Sequence, residues 1–148
     1  MVGNHPMSLM KEGMTPQMII DNNYAPRLKL LQSYMDQRRK LSSGSSFQRD
    51  IMMVGTNTPP GPNKPKKYLE FSGYGSMLAI AEASRRFAAE YEGPSYRDRA
   101  DFPFVTRFDT FAVMDNVSAF DGTHFALRGN VALAQVFLNV LEWAIARA

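Results

Sequence analysis

The sequence predicts one α/β domain with a parallel sheet. Two short apolar runs, at residues 50–55 and 102–108, are bounded by turn residues, as is typical of strands buried on both faces. A helical pattern of apolar residues separates them, and other helical patterns precede the first run and follow the second. Helices that separate buried strands are typical of α/β layers, in which the crossover connection is a helix. A chain of 148 residues that is 45% hydrophobic can form the core of one such domain.

The first half of the chain contains an irregular segment, a helix and a strand. Residues 1–23 hold several glycines and prolines, and we predict that they are irregular. A helix is predicted over Ala25–Leu41, because Pro26 suits a first turn and apolar residues recur at helical spacing. A run of serines and glycine ends it. The predicted strand Asp50–Gly55 follows, and then a Pro/Gly-rich loop over Thr56–Lys67.

The second half of the chain alternates helix, strand and helix. A helix is predicted over Ser72–Tyr91, and Gly93-Pro94 ends it. Phe102–Phe108 is the second strand, and residues 109–120 form a loop or a short helix. An apolar helix over Val131–Ala146 closes the chain. Its side chains that we expect to be buried are Ala134, Phe137, Leu138, Leu141 and Ile145.

Composition excludes several kinds of site. The chain has no cysteine, so disulfides, thiolate nucleophiles and cysteine-ligated metals are excluded, and we predict no cofactor and no metal. The formal charge is +3, but the basic residues do not form a face interleaved with aromatics. No nucleic-acid partner is therefore predicted. The longest apolar stretch, 131–146, has polar interruptions and falls short of the roughly 20 residues of a membrane span. No secretory signal is recognised, which favours an intracellular or organellar location.

The motif Asp121-Gly122-Thr123-His124 carries the clearest chemical signal. An Asp three residues before a His, in a turn that opens a helix, can hold one imidazole nitrogen while the other nitrogen faces a nucleophile. The same pair is also common in ordinary turns, where Asp caps backbone amides and His is exposed. A nucleophilic serine is not recognised. None of the serines in loop-like or helix-start sequence lies on a strand-to-helix turn; these are Ser8, Ser43, Ser45, Ser46, Ser72 and Ser76.

With Gly129 and the apolar helix beyond it, the block from Asp121 to Asn130 resembles the last catalytic block of the SGNH (GDSL-type) hydrolases. Residues 24–28 match that family's Tyr-x-x-x-Leu helix start, and residues 53–60 match its Pro-rich loop after the fourth strand. The resemblance covers roughly residues 20–148. It implies the rear part of a flavodoxin-like three-layer α/β/α sandwich of parallel strands. The Gly-Asp-Ser block that carries the family's nucleophile is absent.

The resemblance also implies roles for three residues. His124 would act as general base and Asp121 would hold its tautomer, in a degenerate or half-site arrangement. Val2-Gly3-Asn4-His5 would be a remnant of the family's Gly-x-Asn-Asp block, in which the Asn amide serves the oxyanion hole. Two positions depart from that block, since Val2 replaces Gly and His5 replaces Asp. Residues 1–23 would then hold this remnant, and residues 24–148 the C-terminal part of the hydrolase-like domain.

A rear part alone leaves its sheet incomplete. Ile51–Val54 would form an unpaired apolar edge where the family's third strand lies, and such edges promote aggregation unless they are paired or covered. We therefore predict a partner chain that pairs near Ile51–Val54 and completes the sheet. Three functions stay open: a non-catalytic structural subunit of a larger complex, a split esterase in which a partner chain supplies the serine that attacks an acyl ester, and an unrelated virion or assembly protein.

Overall fold

A computed structural model describes residues 10, 12–41, 49–115, 117 and 125–148. The two strands, β1 (Ile51–Gly55) and β2 (Phe104–Phe108), pair in parallel, with Ile51 opposite Phe104. The predicted parallel arrangement of two strands among helices is confirmed. The helices are α1 (Pro16–Leu41), α2 (Leu69–Ser72), α3 (Tyr74–Glu92), α4 (Pro94–Arg97), α5 (Thr110–Met114) and α6 (Leu127–Ile145), with a 3-10 turn at Lys66–Tyr68.

Helices cover both faces of the sheet. On one face, Val54 is fully buried in a core cluster formed with α1 and α3. On the other face, Phe104 at the start of β2 contacts Trp143, with ring centroids 5.8 Å apart. Phe108 at the end of β2 contacts Phe137, with centroids 5.4 Å apart. Helix α6 therefore runs antiparallel to β2, and its N-terminus lies at the carboxyl end of the sheet.

Helix α1 starts at Pro16, whereas the sequence pattern predicts a start at Ala25. The hydroxyl of Thr15 accepts a hydrogen bond from the backbone N–H of Met18 at 3.2 Å. A capping threonine followed by proline at the first helical position is a standard helix start. Residues 16–23, which are predicted to be irregular, are therefore helical.

Pro26 lies inside α1 and not at its start. An internal proline removes one helical hydrogen bond and costs about 3 kcal/mol. Ile19 and Ile20 are both fully buried, and burying each side chain contributes about 1.5–3 kcal/mol. The first two turns of α1 persist because this burial offsets the free-energy cost of the internal proline. The helix reaches Leu41, its predicted last residue, and the residues that follow lie outside the described ranges.

The helix predicted over Ser72–Tyr91 is divided at Gly73 into α2 and α3. A Cβ atom at Gly73 would overlap the backbone oxygen of Leu69, so the close turn between the two helices requires glycine. In the sequence, Met77, Ile80, Ser84, Phe87 and Tyr91 share one face of the predicted helix. All of them are buried in α3 except Tyr91, which is half-buried.

Helix α6 exposes most of the face that its sequence predicts to be buried. Its buried residues are Gly129 and Ala144. Of the five side chains predicted to be buried, Leu141 is half-buried and the exposed ones are Ala134, Phe137, Leu138 and Ile145. The prediction was wrong because the helix is apolar around most of its circumference, so its periodicity does not identify the stripe that meets the sheet. No helix in the described ranges combines the length and apolar character needed to span a membrane.

Candidate functional site

The residues that follow the two strands form a polar cluster at the carboxyl end of the sheet. Thr56, after β1, donates its hydroxyl to Asp109 Oδ1 at 3.1 Å. The same hydroxyl oxygen accepts the backbone N–H of Phe111 at 2.8 Å. Thr110 donates its hydroxyl to the Thr56 carbonyl oxygen at 2.5 Å. Open α/β sheets bind ligands at this edge, so this strand-end cluster is the first candidate site.

Arg85, on α3, holds the carboxylate of Asp109 with two hydrogen bonds. Its Nε lies 2.8 Å from Oδ2 and its Nη2 lies 3.0 Å from Oδ1. The backbone N–H of Ala112 also donates to Oδ1, at 3.1 Å, so that Asp109 caps α5. Burial raises the pKa of Asp109, but the bonds from Arg85, Ala112 and Thr56, together with the charge of Arg85, lower it below its ordinary value. Asp109 is therefore an ionised anchor, since a general acid needs a raised pKa.

The predicted catalytic pair Asp121 and His124, and the predicted oxyanion residue Asn4, lie outside the described residues. The residues on either side of the pair are described. Phe125 is buried and packs with α5 through Met114. The predicted loop or short helix after β2 is a short helix, α5, and its N-cap is the anchored Asp109.

Gly129, in the first turn of α6, contacts both Val117 and Phe125, the described residues on either side of the predicted catalytic pair. A Cβ atom at Gly129 would lie 3.0 Å from Val117 Cγ1 and 3.3 Å from Phe125 Cβ. Val117 and Phe125 therefore lie next to each other. Because the N-terminus of α6 is at the carboxyl end of the sheet, Val117 and Phe125 lie at the edge that carries the strand-end cluster.

The strand-end cluster was not predicted from the sequence. A usable signal was present, because Thr56 and Asp109 each follow a predicted strand directly, and the carboxyl ends of parallel strands share one edge. No local pattern pairs Arg85 with Asp109. That pairing depends on how α3 is rotated against the sheet, which is a tertiary property.

A second feature lies at the outer edge of β1. Backbone groups alternate along a strand, and the bonds of Asp50 and Thr56 to β2 leave Ile51, Met53 and Gly55 directed away from β2. A groove of about 620 Å³, called here the edge groove, separates this edge from α1. It is lined by Tyr24, Arg27, Leu30, Leu31, Tyr34, Ile51, Met52 and Met53.

Tyr24 closes one end of the edge groove. Its hydroxyl donates to the backbone oxygen of Gly55 at 2.7 Å. Burial raises the pKa of Tyr24 above its ordinary value, although the bond to Gly55 and the charge of Arg27 act in the opposite direction. The tyrosine is therefore neutral and remains a donor, which ties α1 to the end of β1. The backbone groups of Ile51 and Met53 lie beyond this contact, in the groove.

The strand-end cluster is suited to holding the two loops together. The hydroxyls of Thr56 and Thr110 are buried and donate to other groups, so neither is available to attack a substrate. Within the described part of the chain, no group of three or more His, Asp or Glu side chains is placed to hold a metal ion. Comparisons with family models, with curated proteins and with solved structures gave no match.

Proposed function

We propose that this protein is a non-catalytic structural subunit of a complex, in which a strand from another chain completes the sheet at the outer edge of β1. The observation that carries the proposal is the edge groove. Among the described strands, β1 has one neighbour, β2, and its other edge borders an apolar helix surface. An open apolar edge is normally paired or covered, because it otherwise templates aggregation.

The edge groove defines the chemistry of the proposed partner. An added strand would lie about 4.8 Å from β1 and exchange backbone hydrogen bonds with Ile51 and Met53. Its side chains on the α1 side would cover Leu30 and Tyr34, which lie one helical turn apart and are exposed. The partner segment is therefore an extended strand with apolar side chains at alternate positions, and its main-chain bonds supply part of the affinity.

Met53→Pro is expected to release the partner chain. The substitution removes an N–H that points out of the sheet, and proline is tolerated at such edge positions because the β1–β2 bonds remain. The test is the mass of the assembly purified with the tagged full chain from the cells that make it. The matched control is Arg107→Pro, which makes the same change at the outer edge of β2 and should retain the partner.

Hydrogen exchange provides a second readout on the wild-type assembly. The amides of Ile51 and Met53 are expected to exchange at least tenfold more slowly in the assembly than in the isolated chain, because a new strand would protect them. Equal exchange at these two amides, in an assembly of higher mass, would show that the partner binds elsewhere and would contradict the proposed completion of the sheet.

A second candidate function, ester hydrolysis with a serine from the partner chain, is favoured by the positions of Val117 and Phe125. They flank the predicted pair at the carboxyl end of the sheet, where α/β enzymes carry catalytic groups. His124 would take the proton of the incoming serine and pass it to the leaving alcohol, while Asp121 held the tautomer. Asn4 would donate to the oxyanion.

The isolated chain is expected not to hydrolyse a p-nitrophenyl ester, because it has no recognised nucleophile. Turnover by the isolated chain that is abolished by His124→Ala would contradict the non-catalytic role. Turnover by the purified assembly that is lost by a factor of about 10³ or more in His124→Ala would favour the split esterase. The matched control is His5→Ala, which changes the other histidine of the chain.

A further inference from the structure

Helix α6 carries a regular apolar stripe on the side that faces away from the sheet. The stripe, called here the outer stripe, consists of Leu127, Val131, Ala134, Leu138, Leu141 and Ile145. Its members are spaced alternately by four and three residues, which is the pattern by which two helices pack along a seam. The side chains of Leu127, Val131 and Leu138 are 78%, 59% and 54% exposed. Monomers seldom expose continuous apolar surface of this kind.

The fold itself uses mainly another side of α6. Phe137 and Trp143 contact the rings of β2, and Gly129 receives Val117 and Phe125. At 100° per residue, the centre of the outer stripe lies about 145° around the helix from the centre of these contacts, and the half-buried Leu141, next to Phe137, forms its margin. Apart from Leu141, the outer stripe therefore contributes little to the core of its own chain, and it presents a regular surface against which another helix can pack.

We infer that the outer stripe pairs with the outer stripe of a second copy of this chain, antiparallel about a two-fold axis. In one register, Leu127 lies opposite Ile145 of the second copy, Val131 opposite Leu141, and Ala134 opposite Leu138. The same register then repeats in reverse beyond the axis, so every member of the stripe has a partner. Such self-complementarity is the requirement for a closed two-fold interface.

The charges beside the outer stripe select this antiparallel arrangement. Arg128 and Glu142 are exposed on the same flank of the stripe, near its two ends. In the antiparallel pair, Arg128 of each copy faces Glu142 of the other, so the contact occurs twice. A parallel pair would place the two Arg128 residues at one level and the two Glu142 residues at another, so Arg128 would not meet Glu142. Within one helix the two residues lie about 21 Å apart along the axis, so they do not reach each other.

Sedimentation equilibrium of the full chain is the first test, and a dimer is the expected result. Leu138→Glu places a carboxylate in the seam and is expected to give a monomer with an unchanged far-ultraviolet circular dichroism spectrum, because this residue is outside the core. The matched control is Asn139→Glu, which adds the same charge to the next residue, off the stripe, and should remain dimeric. A monomeric wild type, or a dimer that survives Leu138→Glu, would overturn the inference.

A charge exchange tests the antiparallel register. Arg128→Glu and Glu142→Arg are each expected to weaken the dimer by about tenfold, since each puts like charges together twice. The double variant is expected to return the dissociation constant to within about threefold of the wild type. Arg128 and Glu142 are too far apart within one helix for this rescue to arise inside a single chain. A double variant as weak as the singles would refute the register.

Two further measurements distinguish this surface from other interactions. Met53→Pro alters the edge groove but not the outer stripe, and the dimer should persist in that variant, so failure at one surface does not imply failure at the other. Vesicles of phosphatidylcholine probe a lipid role for the stripe. A chain that is monomeric in solution and floats with such vesicles, but not after Leu138→Glu, would assign the stripe to lipid and refute the dimer.

Discussion

Asp109→Ala is expected to lower the free energy of unfolding by about 3 kcal/mol. The substitution removes the acceptor of both Arg85 bonds and of the Thr56 hydroxyl bond. It leaves the guanidinium of Arg85, whose side chain is 26% exposed, without its counter-charge. It also removes the cap of α5, which alone contributes about 1 kcal/mol. Urea denaturation followed by circular dichroism measures the loss.

Asp101→Ala is the matched control for this loss. Arg99 and Asp101 form the same two-bond geometry, at 2.9 and 2.7 Å, and the hydrogen bond from Arg99 lowers the pKa of Asp101 to about 2. The two side chains are 43% and 48% exposed, so water and salt screen the pair, and little change in the unfolding midpoint is expected. Equal losses in the two variants would contradict a special role for the strand-end cluster.

Because the pKa of Asp109 is lowered, the unfolding free energy lost in Asp109→Ala should also depend on pH. The folded-state pKa lies below the unfolded value of about 3.9. The stabilisation is therefore fully present above the unfolded pKa and is lost as the pH falls through the folded pKa. The difference in unfolding free energy between wild type and Asp109→Ala should be constant near neutral pH and should shrink below about pH 4.

Local patterns predicted the element types because buried parallel strands and amphipathic helices each leave a distinct period in the sequence. The runs that became β1 and β2 were placed within two residues of their observed bounds. The start of α1 was misplaced, because Thr15-Pro16 suits a turn and a helix start equally well. The burial of Ile19 and Ile20 decides between them, and burial depends on where the helix packs.

The orientation of α6 and the pairing of Arg85 were not predictable for the same reason. Each depends on the rotation of a helix against the sheet. The edge groove was anticipated more closely, since two strands with apolar sequences predict an open edge at Ile51–Val54. The α1 side of the groove was not predicted. It is formed by Leu30 and Tyr34, exposed residues whose position beside β1 follows from the packing of α1 on α3.

Phe111→Ala is expected to lower the free energy of unfolding by about 4 kcal/mol. The Phe111 side chain is fully buried and joins the main core cluster from the strand-end cluster. Its ring centroid lies 5.4 Å from that of Tyr74, and the guanidinium of Arg85 lies 5.8 Å from the ring centroid. Removing the ring leaves a cavity and takes one wall from the Arg85 site.

The cost of Phe111→Ala is attributable to the ring, because alanine keeps the backbone N–H that Thr56 accepts. Phe111→Leu retains most of the volume and is expected to cost about 1.5 kcal/mol. Denaturant midpoints of the two variants, compared at equal slope, separate packing from the hydrogen-bond network. If the two variants lost equal stability, the cost would lie in the shape of the ring or its contact with Arg85 and not in the cavity. A loss below about 1 kcal/mol for alanine would mean that α5 contributes little to the core, and the strand-end cluster would then depend on its polar bonds alone.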